Sequence, residues 1–215
     1  MKKLLFVLIV LSAALCVQAQ VITIAIEASV REIYDDADLL EGAITIDDII
    51  TGTYTYSTDV ADTNPSSTVG DYEYSESSYG VELLCNGLEF KTDPCDVDFL
   101  LKIINDKDYG YGEEDVYLFY SYNNLPLLSS IGIDSISWQL NDYTGTAISS
   151  TALPSTAPIL EDWQSLVGVH IRSEKIGDNY DTFHIYADVT SAIVIPEPAT
   201  LLFLTSGVLL LRRKH

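Results

Sequence analysis

Three oxygen-bearing side chains, Asp59, Asp62 and Asn64, fall within six residues and end at Pro65. Calcium takes six to eight oxygen ligands from carboxylates, amides and backbone carbonyls, so this loop is the candidate metal site, with calcium the implied ion. The spacing lacks the glycine at the sixth position and the acid at the twelfth that an EF-hand loop uses. The competing reading is an Asx-turn loop whose aspartates bond their own backbone. A second cluster, Asp106, Asp108, Glu113, Glu114 and Asp115, is interleaved with Tyr109, Gly110, Tyr111 and Gly112. Rings beside carboxylates can grip a sugar by stacking on its apolar face; the alternative is a solvated loop. Glycoside hydrolysis needs two carboxylates at a set separation across a cleft, and spacing alone places no such pair.

Nucleophilic chemistry has little to work with. Between the chain ends the histidines are His170 and His184. By strand alternation His184 shares a face with Thr182, Tyr186 and Asp188, opposite Phe183 and Ile185, and His170 faces away from Val169 and Ile171, so both read as outer-face residues. No Gly-x-Ser-x-Gly elbow, Walker loop or zinc-type histidine spacing occurs. No catalytic residue is assigned, and the protein is read as non-enzymatic.

The elements that must hold these residues are strands. Ile22, Ile24 and Ile26 alternate with Thr23, Ala25 and Glu27; Tyr54 and Tyr56 alternate with Thr53 and Thr55; Tyr79, Val81, Leu83 and Cys85 form another inward row. From Val116 to Tyr122 both sets are apolar or aromatic, which predicts a strand covered on both faces. Ile131 and Ile133 occupy odd positions whereas Ile136, Trp138 and Leu140 occupy even ones, so a β-bulge or break is expected at Asp134 and Ser135. Val167, Val169 and Ile171 followed by Phe183, Ile185, Ala187 and Val189, with the turn-rich Lys175 to Asn179 between, read as a neighbouring pair. Only Val97 to Asn105 has a helical spacing, through Phe99, Leu100, Ile103 and Ile104. Long loops are expected at Asp59 to Asp71, Asp106 to Asp115 and Ser149 to Asp162. The expected fold is all-β: a single two-sheet β-sandwich, jelly-roll-like.

The two ends carry addresses. Lys2 and Lys3, the apolar stretch Leu4 to Leu15 and Val17-Gln18-Ala19 form a secretory signal peptide over residues 1–19, cut after Ala19. Cys16 follows Leu15, where a lipid-attachment site wants a small residue. At the other end, Pro196-Glu197-Pro198 precedes an apolar run of 13 residues, 199–211, and the basic tail Arg212, Arg213, Lys214 and His215. At ~1.5 Å per residue the run covers about 20 Å as a helix, short for a bilayer core of about 30 Å. The positive-inside tendency keeps both basic ends in the cytoplasm, so residues 20–192 are exported.

The stretch Ile195-Pro196-Glu197-Pro198-Ala199-Thr200-Leu201-Leu202 with its helix and basic end resembles the PEP-CTERM sorting signal of bacterial surface and secreted proteins, here covering residues 193–215. Thr205-Ser206 within the helix is more polar than that family's pattern. The resemblance implies that an exosortase, a membrane-embedded cysteine protease-transpeptidase, recognises Pro196, Glu197 and Pro198 and cuts nearby. It further implies an inner-membrane intermediate held by the C-terminal helix, then a cell-surface or secreted product associated with extracellular polysaccharide. Gly52 to Asp59, Asp62 to Pro65, Gly70 to Tyr72, Asp142 to Ala147 and Leu153-Pro154 are also similar to segments of other PEP-CTERM ectodomains, a likeness that implies a fold class and no activity.

Five of the 11 basic residues and one of the 32 acidic ones lie in these ends, leaving 6 and 31 between Gln20 and Ile195 and a net charge of −25. That excess argues against nucleic acid, whose phosphates require a basic surface, and against anionic lipid surfaces; it favours solubility and divalent cations. With Cys16 removed, Cys85 and Cys95 form an even pair in an oxidising compartment, which predicts one disulfide contributing about 2 to 3 kcal/mol.

Overall fold

A computed structural model describes residues 20–110, 112–127, 131–174 and 182–196. Residues 1–19, with the expected signal peptide, Tyr111, residues 128–130 and 175–181, and residues 197–215, with Glu197, Pro198, the apolar run and the tail residues Arg212, Arg213 and Lys214, lie outside the described residues. Ten strands are present: β1 (Val21–Tyr34), β2 (Ile49–Ser57), β3 (Val69–Tyr74), β4 (Gly80–Cys85), β5 (Leu88–Lys91), β6 (Phe99–Asp108), β7 (Glu113–Ser121), β8 (Ile133–Asp142), β9 (Ser165–Ser173) and β10 (His184–Ile195). A short 3-10 turn spans Leu160–Asp162.

All pairings are antiparallel, and the ladder runs β3-β6-β7-β8-β9-β10-β1-β2-β4-β5. The fold is therefore all-β, as the alternation predicts. In place of two separate sheets there is one continuous sheet of ten strands that curls until its arms meet. Tyr54 of β2 packs on Phe119 of β7 at 4.8 Å and on Trp138 of β8 at 5.7 Å, and its hydroxyl lies 2.9 Å from that of Tyr117. Curling is what lets one face of every strand be buried while the other stays wet.

The inward rows match the alternation closely. Ile22, Ile24, Ile26, Tyr54, Tyr56, Val81, Leu83, Cys85, Val169, Ile171, Phe183 and Ile185 are all buried. The register of β8 against β9 slips between Ile133 and Ser135, so Ile133 and Ile136 both reach the core across the bulge. Tyrosine hydroxyls then tie loops to this frame: Tyr56 donates to the Pro154 carbonyl at 2.7 Å, Tyr72 to Thr151 at 2.8 Å and Tyr74 to Ser57 at 2.9 Å.

Three expectations are corrected. Residues 97–105 are not helical: β6 begins at Phe99, and Phe99, Leu101 and Ile103 alternate inward between β3 and β7. A short apolar run satisfies both periods, and two flanking strands decide for the period of two. β7 is covered on both faces at Val116 and Leu118, which pack with Val69 and Ile104 in a small outer cluster; Tyr122, included in the expected covered strand, lies beyond its end and is exposed.

The third correction concerns the cysteines, which are both free. Asn86 and Gly87, at φ 48° and 85°, make a tight turn that sets Cys85 opposite Leu88. β5 then runs back to Lys91 opposite Glu82, and Asp93 bonds the carbonyl of Asn123. Cys95 thus follows the far end of β5, more than about 10 Å of strand from Cys85, whereas a bridge needs Cα atoms within about 7 Å. Cys85 is buried and Cys95 exposed.

Candidate functional site

The loop after β2 uses its oxygens internally. Asp62 Oδ1 accepts the backbone N–H groups of Asn64 and Asp71 at 2.8 and 2.9 Å. Asn64 Oδ1 accepts from the Ser66 N–H at 2.9 Å, and its Nδ2 donates to Asp71 Oδ2 at 2.8 Å. Asp59 is bonded separately by the Ser57 hydroxyl. These are Asx-turn bonds that shape a loop against β3, and Lys102 caps the set with its Nζ 3.2 Å from Asp71 Oδ1. Among the described residues no group of three or more His, Cys, Asp or Glu side chains is arranged to hold a metal ion.

The second acidic cluster divides. The register of β6 against β7 slips between Ile104 and Lys107, where Asp106 takes a φ of 51°. Asp115 points inward, fully buried, and accepts the Asp106 N–H at 2.9 Å and the Ile148 N–H at 3.0 Å. Asp108 accepts the Gly110 N–H at 2.6 Å, and Lys107 Nζ stands 5.0 Å from the ring centre of Tyr109. Tyr109 and, in the loop after β8, Tyr143 remain exposed. Asp115 is the cross-strand partner of Asp142, but both are sealed from solvent and so do not flank a cleft.

Topology gathers both clusters at one pole. β2 ends at Ser57 opposite Val21, β6 ends and β7 begins beside the end of β8, and β10 ends with Ile195 opposite Thr23. The loop carrying Asp59, Asp62 and Asn64 and the end of β6 carrying Asp106 and Asp108 therefore share an end of the sheet with both termini of the body. Pro196 follows β10 there, exposed and outside the ladder, because proline has no N–H to donate. No family model, curated protein or solved structure matches the chain.

A feature that spacing did not single out lies on the outer face of β9 and β10. His170 is paired with Tyr186, stacked at 4.3 Å with 5° between the rings, and Tyr34 meets Tyr186 edge-on at 6.1 Å. His184, one pair along, brings its Nδ1 to 3.1 Å from His170 Nε2. Burial, then the charges of His184 and Arg172, bring His170 down to about 4. Burial and Arg172 also lower His184, against a small opposing pull from Asp134. Both imidazoles are thus neutral near pH 7. The sequence signal was present as two histidines on outward positions of adjacent strands, but their register was not readable until the strands were paired. Elsewhere on the outer side, two grooves of about 190 and 340 Å³ run over β2 and β4, lined by Thr53, Thr55, Tyr79, Glu82 and Lys91 and by Thr51, Leu84 and Glu89.

Proposed function

We propose that this chain is an exported, non-enzymatic surface or extracellular-matrix protein, sorted and processed through Pro196-Glu197-Pro198. The observation that carries the reading is the pairing of Thr23 with Ile195. It brings the segment following the signal peptide and the segment leading into the sorting motif out of the body side by side. A body suspended from the membrane by one pole is what a protein threaded at both ends requires. Ile193, Val194 and Ile195 are exposed and extended as they lead into Pro196, a form suited to entry into a processing enzyme. On this reading the arms of the curled sheet act as the two layers of a jelly-roll-like sandwich, a scaffold whose ends are free to be trimmed.

A second reading, a carbohydrate-binding module assisted by calcium, draws on Tyr109 and Tyr143, exposed at the pole that also carries Asp106 and Asp108. Rings stacking on sugar faces would supply the affinity. A glycan hydrolase is the least supported, since the paired Asp115 and Asp142 are buried.

The sorting reading is tested by Pro196→Ala and Glu197→Ala in a host that has an exosortase-type enzyme. Both variants are expected to retain the tail, by intact mass, and to stay in the membrane fraction. Tail removal and localisation like those of the unaltered protein would sink the reading. Binding of the protein to a polysaccharide array with calcium and with chelator separates the second reading: binding lost with chelator supports it.

A further inference from the structure

Two imidazoles on neighbouring strands stand at the separation that one metal ion imposes. His170 and His184 are diagonal neighbours, since register pairs His170 with Tyr186 and His184 with Arg172. The nearest ring nitrogens, His170 Nε2 and His184 Nδ1, are 3.1 Å apart. Two ligands at ~2.0 to 2.1 Å from a shared ion are roughly 2.8 Å apart in square-planar and roughly 3.4 Å apart in tetrahedral geometry. The observed separation falls between these values.

We propose that His170 and His184 form a two-histidine chelate for a divalent transition-metal ion of the copper(II), nickel(II) or zinc(II) class. Imidazole suits these ions, whereas calcium and magnesium require oxygen ligands. Water fills the remaining coordination positions on the open face.

The surroundings prepare the pair. Thr182 Oγ1 lies 3.4 Å from His184 Nε2; in the tautomer with the proton on Nε2 it accepts that N–H and leaves the Nδ1 lone pair directed at His170. An outer partner of this kind fixes the tautomer of a metal-binding imidazole. In that tautomer and without metal, His170 Nε2–H donates to His184 Nδ1. When the ion enters, that proton moves to His170 Nδ1, each ring turns to aim its lone pair at the ion, and no net proton is released. Tyr186 braces the His170 ring from one side. Arg172 is the nearby cation, and Asp134 balances it through Nε at 2.7 Å, which limits repulsion of a bound metal. Both histidines sit on paired strands, so the donors are held by a rigid frame.

The test is a titration of the full chain in detergent with copper(II), followed by calorimetry and electron paramagnetic resonance, with calcium as the control ion. One equivalent is expected, with coupling to two imidazole nitrogens. His170→Ala and His184→Ala should each lower affinity at least tenfold and leave a single nitrogen coupling; His184→Gln, closer in size, gives the same result if the alanine variant folds poorly. His215→Ala, at the remaining histidine of the chain, should change nothing. Failure to bind copper(II) more tightly than about 100 µM, unchanged binding in the double variant, or loss with only one of the two substitutions would overturn the proposal.

Discussion

Asp115 and Asp142 are direct cross-strand partners on β7 and β8, both fully buried, yet neither carboxylate bonds the other. Each ends instead on backbone N–H groups: Asp115 on Asp106 and Ile148, Asp142 on Thr144, Thr146 and Ala147. Neither buried carboxylate is left without donors: Asp115 takes one N–H from the hairpin and one from the 143–148 loop, and Asp142 takes three from that loop. The pair thereby staples the 105–115 hairpin and the 143–148 loop to the end of the sheet.

Asp142 sets an acid limit on stability. Burial alone would push its carboxyl up, but donors from the side chains and backbone of Thr144 and Thr146 outweigh it and hold it at about 2. Because the folded value lies below the unfolded value of about 3.9, the contribution is complete above about pH 5 and is lost as pH falls through about 2. It amounts to on the order of 2 kcal/mol. Urea midpoints measured from pH 6 to pH 2 should fall in that window, and Asp142→Asn should start lower and show a shallower slope. A variant as steep as the parent would remove Asp142 from the explanation.

Tyr54 and Tyr117 are coupled through their buried hydroxyls, 2.9 Å apart. Burial raises both well above the usual phenol range, so both remain neutral. Tyr54→Phe and Tyr117→Phe should each cost about 1 to 3 kcal/mol, since one hydroxyl loses a partner in the core. The double variant should cost less than the sum, as expected for contacting residues. Chemical denaturation of the four proteins in the cycle measures this, and strict additivity would show that the hydroxyls act independently.

The body between Gln20 and Ile195 should carry two free thiols of unequal reactivity. Cys95 is exposed, whereas burial, helped by the charge of Asp48, pushes the Cys85 thiol up to about 11. A thiol reagent without reductant should therefore titrate one group per body rapidly in the native protein and two after denaturation. Finding no reactive thiol in denaturant would restore the disulfide.

Gly52 allows β4 to sit close to β2. A Cβ at this position would lie 2.1 Å from the Glu82 carbonyl oxygen and 2.8 Å from Leu83 Cα, both fixed backbone atoms. Gly52→Ala should destabilise the protein by about 3 kcal/mol through overpacking, seen as a lower melting temperature. Gly87→Ala meets open space but requires a φ of 85°, so its cost is backbone strain, about 1 kcal/mol.

Much of this architecture was legible in the residues. Side-chain direction in a strand alternates strictly, so Ile22, Tyr54, Leu83 and Ile185 could be assigned to the core and Thr53 and His184 to the outside without knowing any partner strand. The parity change from Ile133 to Ile136 located a bulge for the same reason. The candidate calcium loop was visible as a turn, but whether Asp62 and Asn64 face a cation or their own backbone depends on β3, whose Asp71 joins them. Cys85 and Cys95 were expected to pair because they form an even pair in an oxidising compartment, and a four-residue strand between them separates them in space.

What the sequence determined by itself was therefore local: all-β character, the inward faces of strands such as β1, β2, β4 and β10, and the bulge at Asp134 and Ser135. The tertiary structure alone decided that one sheet of ten strands curls on itself, that residues 99–108 are a strand, and that His170 and His184 meet. It also decided that the acidic loops and both ends of the body share a pole. The physical reason is that periodicity records only which side of an element avoids water, while strand neighbours and register are set by hydrogen bonds and packing between residues far apart in the chain, such as Thr23 with Ile195 and Tyr54 with Tyr117.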